Sequence, residues 1–442
     1  MVSHILEINF FIDYDPSSAA SEQATRKMDK SNGHVSIDFR KLADSLRGKF
    51  ETLYPLSENC CIYRVPPKIR MLNESLYTPK MVSIGPFHHG SKELKAMEEH
   101  KLRYLQHFLQ RTYVSIEDFL MFIKDKETNL RNCYAETIEF GSEEFVEMIL
   151  LDGVFLIEIL LRYIPEFNSV DHLVLDIMLL ENQLPVFILE DLFKLANPAL
   201  PGRYNGYSLS KFTRFFFNYI WKDILIDETL LEAHFFEARH FVDLLRLFLQ
   251  PPERDDTERQ ADSEALPSVK KLHQAGIKFK LASSTKNLLD ITYSKGTLEI
   301  PKLTIGNMTV NLLRNLQIFE ALHCGTNYIN DYAVILNRLL SSTKDVELLI
   351  QIGIIENRIL DSEGVSTLFR ELSRDARVQY SNFYYSGLVK DLQDYCKSPR
   401  HMWKANLKQN YFNTPWASIS VIAAVIMLVL TFIQTLCSVI GL

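Results

Sequence analysis

From Trp416 to Leu442 the chain contains no Asp, Glu, Lys, Arg or His, and the last charged side chain before that run is Lys408. Few features restrict a fold more, because a stretch this apolar must leave water. A hydrocarbon core ~30 Å thick is crossed by roughly 20 apolar residues, and residues 416–440 exceed that with length left for tilt. A core helix seldom runs beyond about 15 residues without a polar face, and Ser418, Ser420, Thr431, Gln434 and Thr435 interrupt this run only lightly. The expectation is one transmembrane helix over residues 416–440.

The remaining sequence has the composition of a folded body. It belongs to a chain of 442 residues that is 47% hydrophobic and 23% charged, a balance that excludes general disorder and supports a large core. The net charge of −7 argues against nucleic acid as a partner, since phosphate neutralisation needs a concentrated basic surface. The opening "MVSHILEINFFIDYDPSSAA" is broken by Glu7 and Asp13 and preceded by no base, which makes it a poor secretory signal. Six cysteines, two of them adjacent (Cys60 and Cys61), form no disulfide framework and fit a reducing compartment.

Along the chain, residues 1–36 read as a flexible leader and residues 37–396 as a helical body. "CCIYRVPPKIRMLNESLYTPKMVSIGPFHHG" carries Pro66, Pro67, Pro79 and Pro86, so it must run extended over something. Leu94, Met97, Leu102, Leu105, Phe108 and Leu109 follow at helical spacing. Ser142 is placed as the N-cap of a helix that is apolar almost all round, although Glu147, Asp152 and Glu158 make it a poor membrane span. "LLENQLPVFILEDLF" holds Pro185 inside a helical pattern, predicting a kinked pair. Residues 251–266 form an acidic segment expected to be a mobile surface loop. Between 277 and 305 the period changes to alternation around the turn Ser294-Lys295-Gly296, predicting a small antiparallel sheet. Helices then resume, the last running from Tyr384 to Leu407 and into the membrane.

These segments carry a likeness. "IYRVPPKIRMLNESLYTPKMVSIGPFHHG", "LDGVFLIEILLRY", "LLENQLPVFILEDLF", "LEIPKLTIG", "LLRNLQIFEALHC" and "YFNTPWASISVIAAVI", in that order from Cys60 to Ile440, resemble the plant family called domain of unknown function 247. The resemblance implies a mainly α fold with one C-terminal span and no established enzyme activity. Grass members of the family act in pollen as self-incompatibility determinants, which implies a recognition role. No catalytic residue comes with it.

A search for chemistry returns little. Phosphate-loop, dinucleotide, nucleophile-elbow and zinc-helix patterns are absent. His88-His89 with His100 and His107 is the densest imidazole cluster, yet no cysteine pair at zinc spacing lies near it, so polar packing is the better reading. Cys60 and Cys61 read as two buried thiols, because a bridge between adjacent cysteines is strained. Glu98-Glu99 and Asp255-Asp256 read as solvated acids rather than a hydrolytic pair. Asn182 and Gln183 are expected either to donate to backbone freed by Pro185 or to offer a polar partner surface. Residues 397–415 hold Lys397, Arg400, Lys404 and Lys408 ahead of Trp416, the basic and aromatic flank of a cytoplasmic membrane face.

The sequence is therefore read as a mainly α protein: a helical body with a small antiparallel β-sheet, and one C-terminal transmembrane helix at the plasma membrane or an endomembrane, its body in the cytosol. Its partners would be the bilayer and another protein, with no cofactor, no metal and no catalysis. The expected role is a tethered interaction or signalling module. The rival readings are a self-recognition determinant and an enzyme of unfamiliar type.

Overall fold

A computed structural model describes residues 38–52, 57–162, 171–196, 207–220, 228–251, 266–282, 287–376, 382–398 and 415–441. The leader expected over 1–36, the interior of the acidic loop 251–266 and most of the basic segment 397–415 lie outside these residues.

The first helices are α1 (Phe39–Thr52), α2 (Lys95–Thr112), α3 (Ile116–Asp125) and α4 (Ser142–Arg162), followed by α5 (Asp171–Ile177), α6 (Val186–Ala196), α7 (Leu209–Ile220), α8 (Glu228–Glu237) and α9 (Phe241–Leu249). Helix α4 is the axis of this half. Its apolar residues go round the helix, so it can be satisfied only by partners on every side, and α2, α3, α6 and α7 supply them. Gly153 is where α6 comes closest, since a Cβ there would meet Leu192 Cδ1 at 2.8 Å. Of the three acids that make α4 a poor membrane span, Glu147 faces solvent and the other two find their counter-charges inside the body. Asp152 meets Lys101 of α2 at 2.5 Å, while Glu158 pairs with Arg111 and Arg162. Ser142 is the first residue of α4 rather than its cap, because its hydroxyl is drawn sideways to Glu127 at 2.6 Å.

The second half contains α10 (Val269–Gln274), β1 (Lys278–Leu281), β2 (Thr292–Ser294), β3 (Thr297–Ile300), β4 (Leu303–Ile305), α11 (Asn307–His323), α12 (Tyr328–Leu339), α13 (Thr343–Ile352), β5 (Ile355–Asn357), α14 (Ser362–Asp375) and α15 (Ser386–Lys397). The β2–β3 hairpin is antiparallel, as the alternation predicts, and its two turn residues Lys295 and Gly296 both have positive φ (48° and 78°), the geometry that matches strand twist. The strands form two small sheets rather than one antiparallel sheet, a mixed three-stranded one (β1-β3-β2) and a parallel pair (β4-β5). Strand β1 joins β3 in parallel, and β4 pairs in parallel with the distant β5. A parallel neighbour needs a crossover, which local alternation cannot reveal.

One hydrophobic core runs from Cys60 to Leu392 and joins the two halves. Helix α15 stops at Lys397 and does not continue as one helix toward the apolar C-terminal helix. Ser398 is extended (ψ 120°) ahead of Pro399, as steric contact with a following proline requires. The last helix, α16 (Pro415–Ile440), spans 26 residues. Its apolar side chains, Ile422, Leu428, Phe432 and Val439 among them, are exposed. Thr431 and Thr435 bond the carbonyls one turn back at 2.8 Å, which hides their hydroxyls from an apolar surround.

Candidate functional site

The proline-rich segment 60–90 crosses the body as a strap, and buried polar side chains pin it. Its backbone has no ladder partner over most of its length, so its N–H groups need other acceptors. Asp176, on α5, accepts from Lys80, Met81 and Val82, the shortest bond being 2.6 Å. Asn182 accepts from Ile84 at 2.7 Å and donates to Val82 and Asp176 carbonyls at 3.0 Å each. Asp152 accepts from Gly85 at 2.8 Å and Glu181 from Val65 at 2.6 Å. Gly85 has φ +73°, and a Cβ there would lie 2.6 Å from the Gln183 carbonyl, so only glycine lets the strap come this near.

Glu181 is the centre of this arrangement. Its side chain has no exposure and faces Arg70, Arg64 (3.7 Å) and His88 (3.1 Å). Burial works to raise its pKa, but the bonds from His88, the Val65 N–H and Arg70 outweigh it and hold the carboxyl below its ordinary value.

The structure also decides between the two roles expected for Asn182 and Gln183. They are 1% and 2% exposed, and Gln183 donates to the carbonyls of Ile177 and Leu179 at 2.7 Å. The amides therefore serve the backbone where α5 ends and α6 begins, and they cannot form a partner surface. Pro185 marks a break rather than a kink, since it precedes the first residue of α6. Replacing Asn182 with Ala strands Ile84 N–H and two carbonyls, so a loss of about 1–3 kcal/mol is expected in urea unfolding. An unchanged midpoint would remove this pinning role.

The other sequence-predicted groups are scattered. His100 and His107 are exposed on α2, while His88 lies against Glu181 and His89 lies 4.0 Å from Glu144. Glu98 pairs with Lys101 and Glu99 with Arg103, and Asp255-Asp256 lies outside the described residues. Cys60 and Cys61 are free, buried thiols. Lys397 is exposed at the end of α15 and Trp416 is 78% exposed at the start of α16, whereas Arg400, Lys404 and Lys408 lie outside the described residues.

A polar cleft of about 310 Å³ opens where the start of α9 meets the end of α11. Arg239, Asp243, Arg246 and Gln250 line it, at the i, i+4, i+7, i+11 spacing of one helix face. His323, Cys324 and Thr326 form the opposite wall. The start of α9 builds its own cap: His240 Nδ1 accepts from the Asp243 N–H at 3.2 Å while Asp243 accepts from the Arg239 N–H at 3.1 Å, a reciprocal pair like a capping box. With Nδ1 accepting, the His240 proton sits on Nε2, which donates to the Cys61 carbonyl at 3.0 Å. Asp243 also takes the Arg246 Nε at 2.9 Å. Arg239 has no carboxylate partner among the described residues, and Nη1 rests at 3.4 Å from the Glu58 carbonyl.

Burial sets the protonation of this site. Burial pushes the Cys324 thiol up to about 12 and brings His323 and His240 down to about 4. At neutral pH the thiol is protonated and both imidazoles are neutral. A nucleophile needs the thiolate, and a general base works best with a pKa near the working pH. What lines the cleft instead is two guanidiniums (Arg239 and Arg246), two carboxylates (Glu237 and Asp243), the Gln250 carboxamide and the Thr326 hydroxyl, a mixed set that can hold a polar group through both donors and acceptors. Sequence reasoning missed this site. The polar stripe in "ARHFVDLLRLFLQ" was its only local signal.

A helical body, a buried polar strap and an exposed apolar C-terminal helix together define an all-but-helical protein with a small sheet and a candidate single-pass anchor. The family profile described as plant protein of unknown function, domain of unknown function 247, matches residues 62–430, and the chain belongs to that family. It is similar to the UPF0481 protein At3g47200 of Arabidopsis thaliana, 29% identical over 86% of each chain. It is also similar to a second UPF0481 protein of that plant, At3g02645, 24% identical over 84% of this chain and 89% of the relative. No solved structure matches.

Proposed function

We propose that the protein is a membrane-tethered recognition module whose body binds another protein from the cytosolic face of a membrane, with the Arg239 cleft as a contact point. The observation that carries this reading is α16. Its 26 residues reach roughly 39 Å at about 1.5 Å each, enough for a bilayer. The window Ile419–Leu436 has a mean hydropathy of 2.5 with none of it buried, whereas a core helix of this composition would be covered by its own body. Lys397, Arg400, Lys404 and Lys408 precede the span, and positive flanks favour the cytoplasmic side. Tethering raises the effective concentration of the body for partners on the same surface. The protonated thiol and neutral imidazoles support binding over turnover.

Topology tests it. Asn73 and Asn307 are exposed residues within Asn-X-Ser/Thr sequons, and glycans are added only in the secretory lumen. In sealed membrane vesicles from the plant, both sites are expected to stay bare and added protease to digest the body. A body protected until detergent is added, or sugar on either asparagine, would overturn the cytosolic placement. Self-recognition outside the cell would then be the better reading.

A further inference from the structure

We infer that α1 is an interfacial helix that lies on the anionic leaflet of the membrane holding the chain. Asp38 caps it, accepting from the N–H groups of Arg40 and Lys41 at 3.1 and 3.3 Å. Phe39, Leu42 and Leu46 recur at i, i+3, i+7 and so share one stripe. They are 74%, 49% and 42% exposed, and among the described residues nothing covers them. A helix of 14 residues is marginal in water by itself. Its apolar stripe needs a partner, and the body's core does not supply one.

The charges on α1 say which partner. Arg40, Lys41 and Arg47 stand against Asp38 and Asp44 over residues 38–48, a small excess of base on a chain whose net charge is −7. Arg40 and Arg47 lie on one flank of the apolar stripe, from which long basic side chains can reach headgroups while their stems lie along the acyl boundary. The Arg47–Asp44 pair at 2.9 Å is on the exposed surface, with side chains 74% and 71% accessible, so it gives way easily. An apolar stripe with a basic flank matches an anionic bilayer. The inference rests on the membrane tether of the preceding section, which keeps α1 within reach of such a surface.

The full chain bearing Phe39→Trp, reconstituted in vesicles of phosphatidylcholine alone or with about a third phosphatidylserine, tests both ideas separately. The added indole, read as a difference from the unsubstituted chain, should be quenched by brominated lipid in the anionic vesicles and weakly in the neutral ones. Arg40→Glu with Arg47→Glu should abolish the difference, at about fivefold in partitioning for each base removed. Circular dichroism of that variant should be unchanged. Equal quenching in the two vesicle types, or quenching that survives the charge reversal, overturns the inference. So does energy transfer between labelled copies without lipid quenching, which would identify a second chain as the occupant. An alkaline carbonate wash, applied after the fluorescence is read, reports on the tether alone.

Discussion

Lys101→Met should lower the stability of the body by about 3–5 kcal/mol, because it leaves a buried carboxylate without its counter-charge. Lys101 is 0% exposed. Its ammonium touches Asp152 at 2.5 Å, Glu98 at 2.7 Å and the Ser83 carbonyl at 2.6 Å, so one side chain joins α2, α4 and the strap. Burial works against its charge, but Asp152 and Glu98 outweigh it and hold its pKa above the ordinary lysine value. Removing the carboxylate charge as well, with Asp152→Asn, should restore part of the loss, since the amide can still accept from the Gly85 N–H. Urea unfolding of the single and double variants measures both effects. A single variant within about 1 kcal/mol of the parent would mean that the pair contributes almost nothing.

A second large effect should appear with pH. Asp331 is 1% exposed, and its carboxyl accepts from the Tyr384 N–H at 2.7 Å. Burial raises its pKa from 3.8 to about 8, with nearby Glu320 adding to the rise. Burial likewise brings Glu320 up from 4.5 to about 7, against its bonds from Asn330 and Ile329 and the field of Arg246. Both carboxyls bind a proton more tightly in the folded state than in the unfolded one. The stability they contribute is therefore fully present below the unfolded values near 4 and is lost as pH rises through about 7 and 8. Each tenfold gain in proton affinity on folding corresponds to about 1.4 kcal/mol, so the loss for Asp331 is several kcal/mol. The urea midpoint should fall between about pH 4 and pH 8 and level off above that, and Asp331→Asn should remove most of that slope. A midpoint that stays level across this range would place Asp331 outside the linkage.

How much of this was legible depends on the distance between partners. Helix α4 and the apolar run of α16 stand out because a helix repeats its pattern locally. The β2–β3 hairpin is legible because Lys295-Gly296 sits between two alternating runs. The parallel pairs are not, since β4 meets β5 only after three helices intervene. Extension of the strap follows from its prolines, but its acceptors Asp176, Glu181 and Asn182 lie about a hundred residues away. Their acidic and amide character inside apolar surroundings was the visible clue. The cleft was half legible: Arg239, Asp243 and Arg246 form a stripe in the sequence, and nothing in the sequence says that His323 and Cys324 complete it. The proline at 399 was in plain view, and it disfavours a helical Ser398, which fits the end of α15 at Lys397.

The wide spacing of the strap's anchors has a consequence for how the chain is made. Leu76 offers its carbonyl to Asn315, 239 residues onward, and Tyr63 meets His323 across 260. A ribosome adding about 5–20 residues per second needs tens of seconds to deliver those partners. Through that interval the Tyr63 hydroxyl and the Leu76 carbonyl have left the exit tunnel without these partners, while α4, α5 and their neighbours can already assemble and take up the strap's N–H groups through Asp152, Asp176 and Asn182. The strap is thus secured in two stages, its backbone when the Asp152, Asp176 and Asn182 acceptors emerge and its Tyr63 and Leu76 contacts only when α11 arrives.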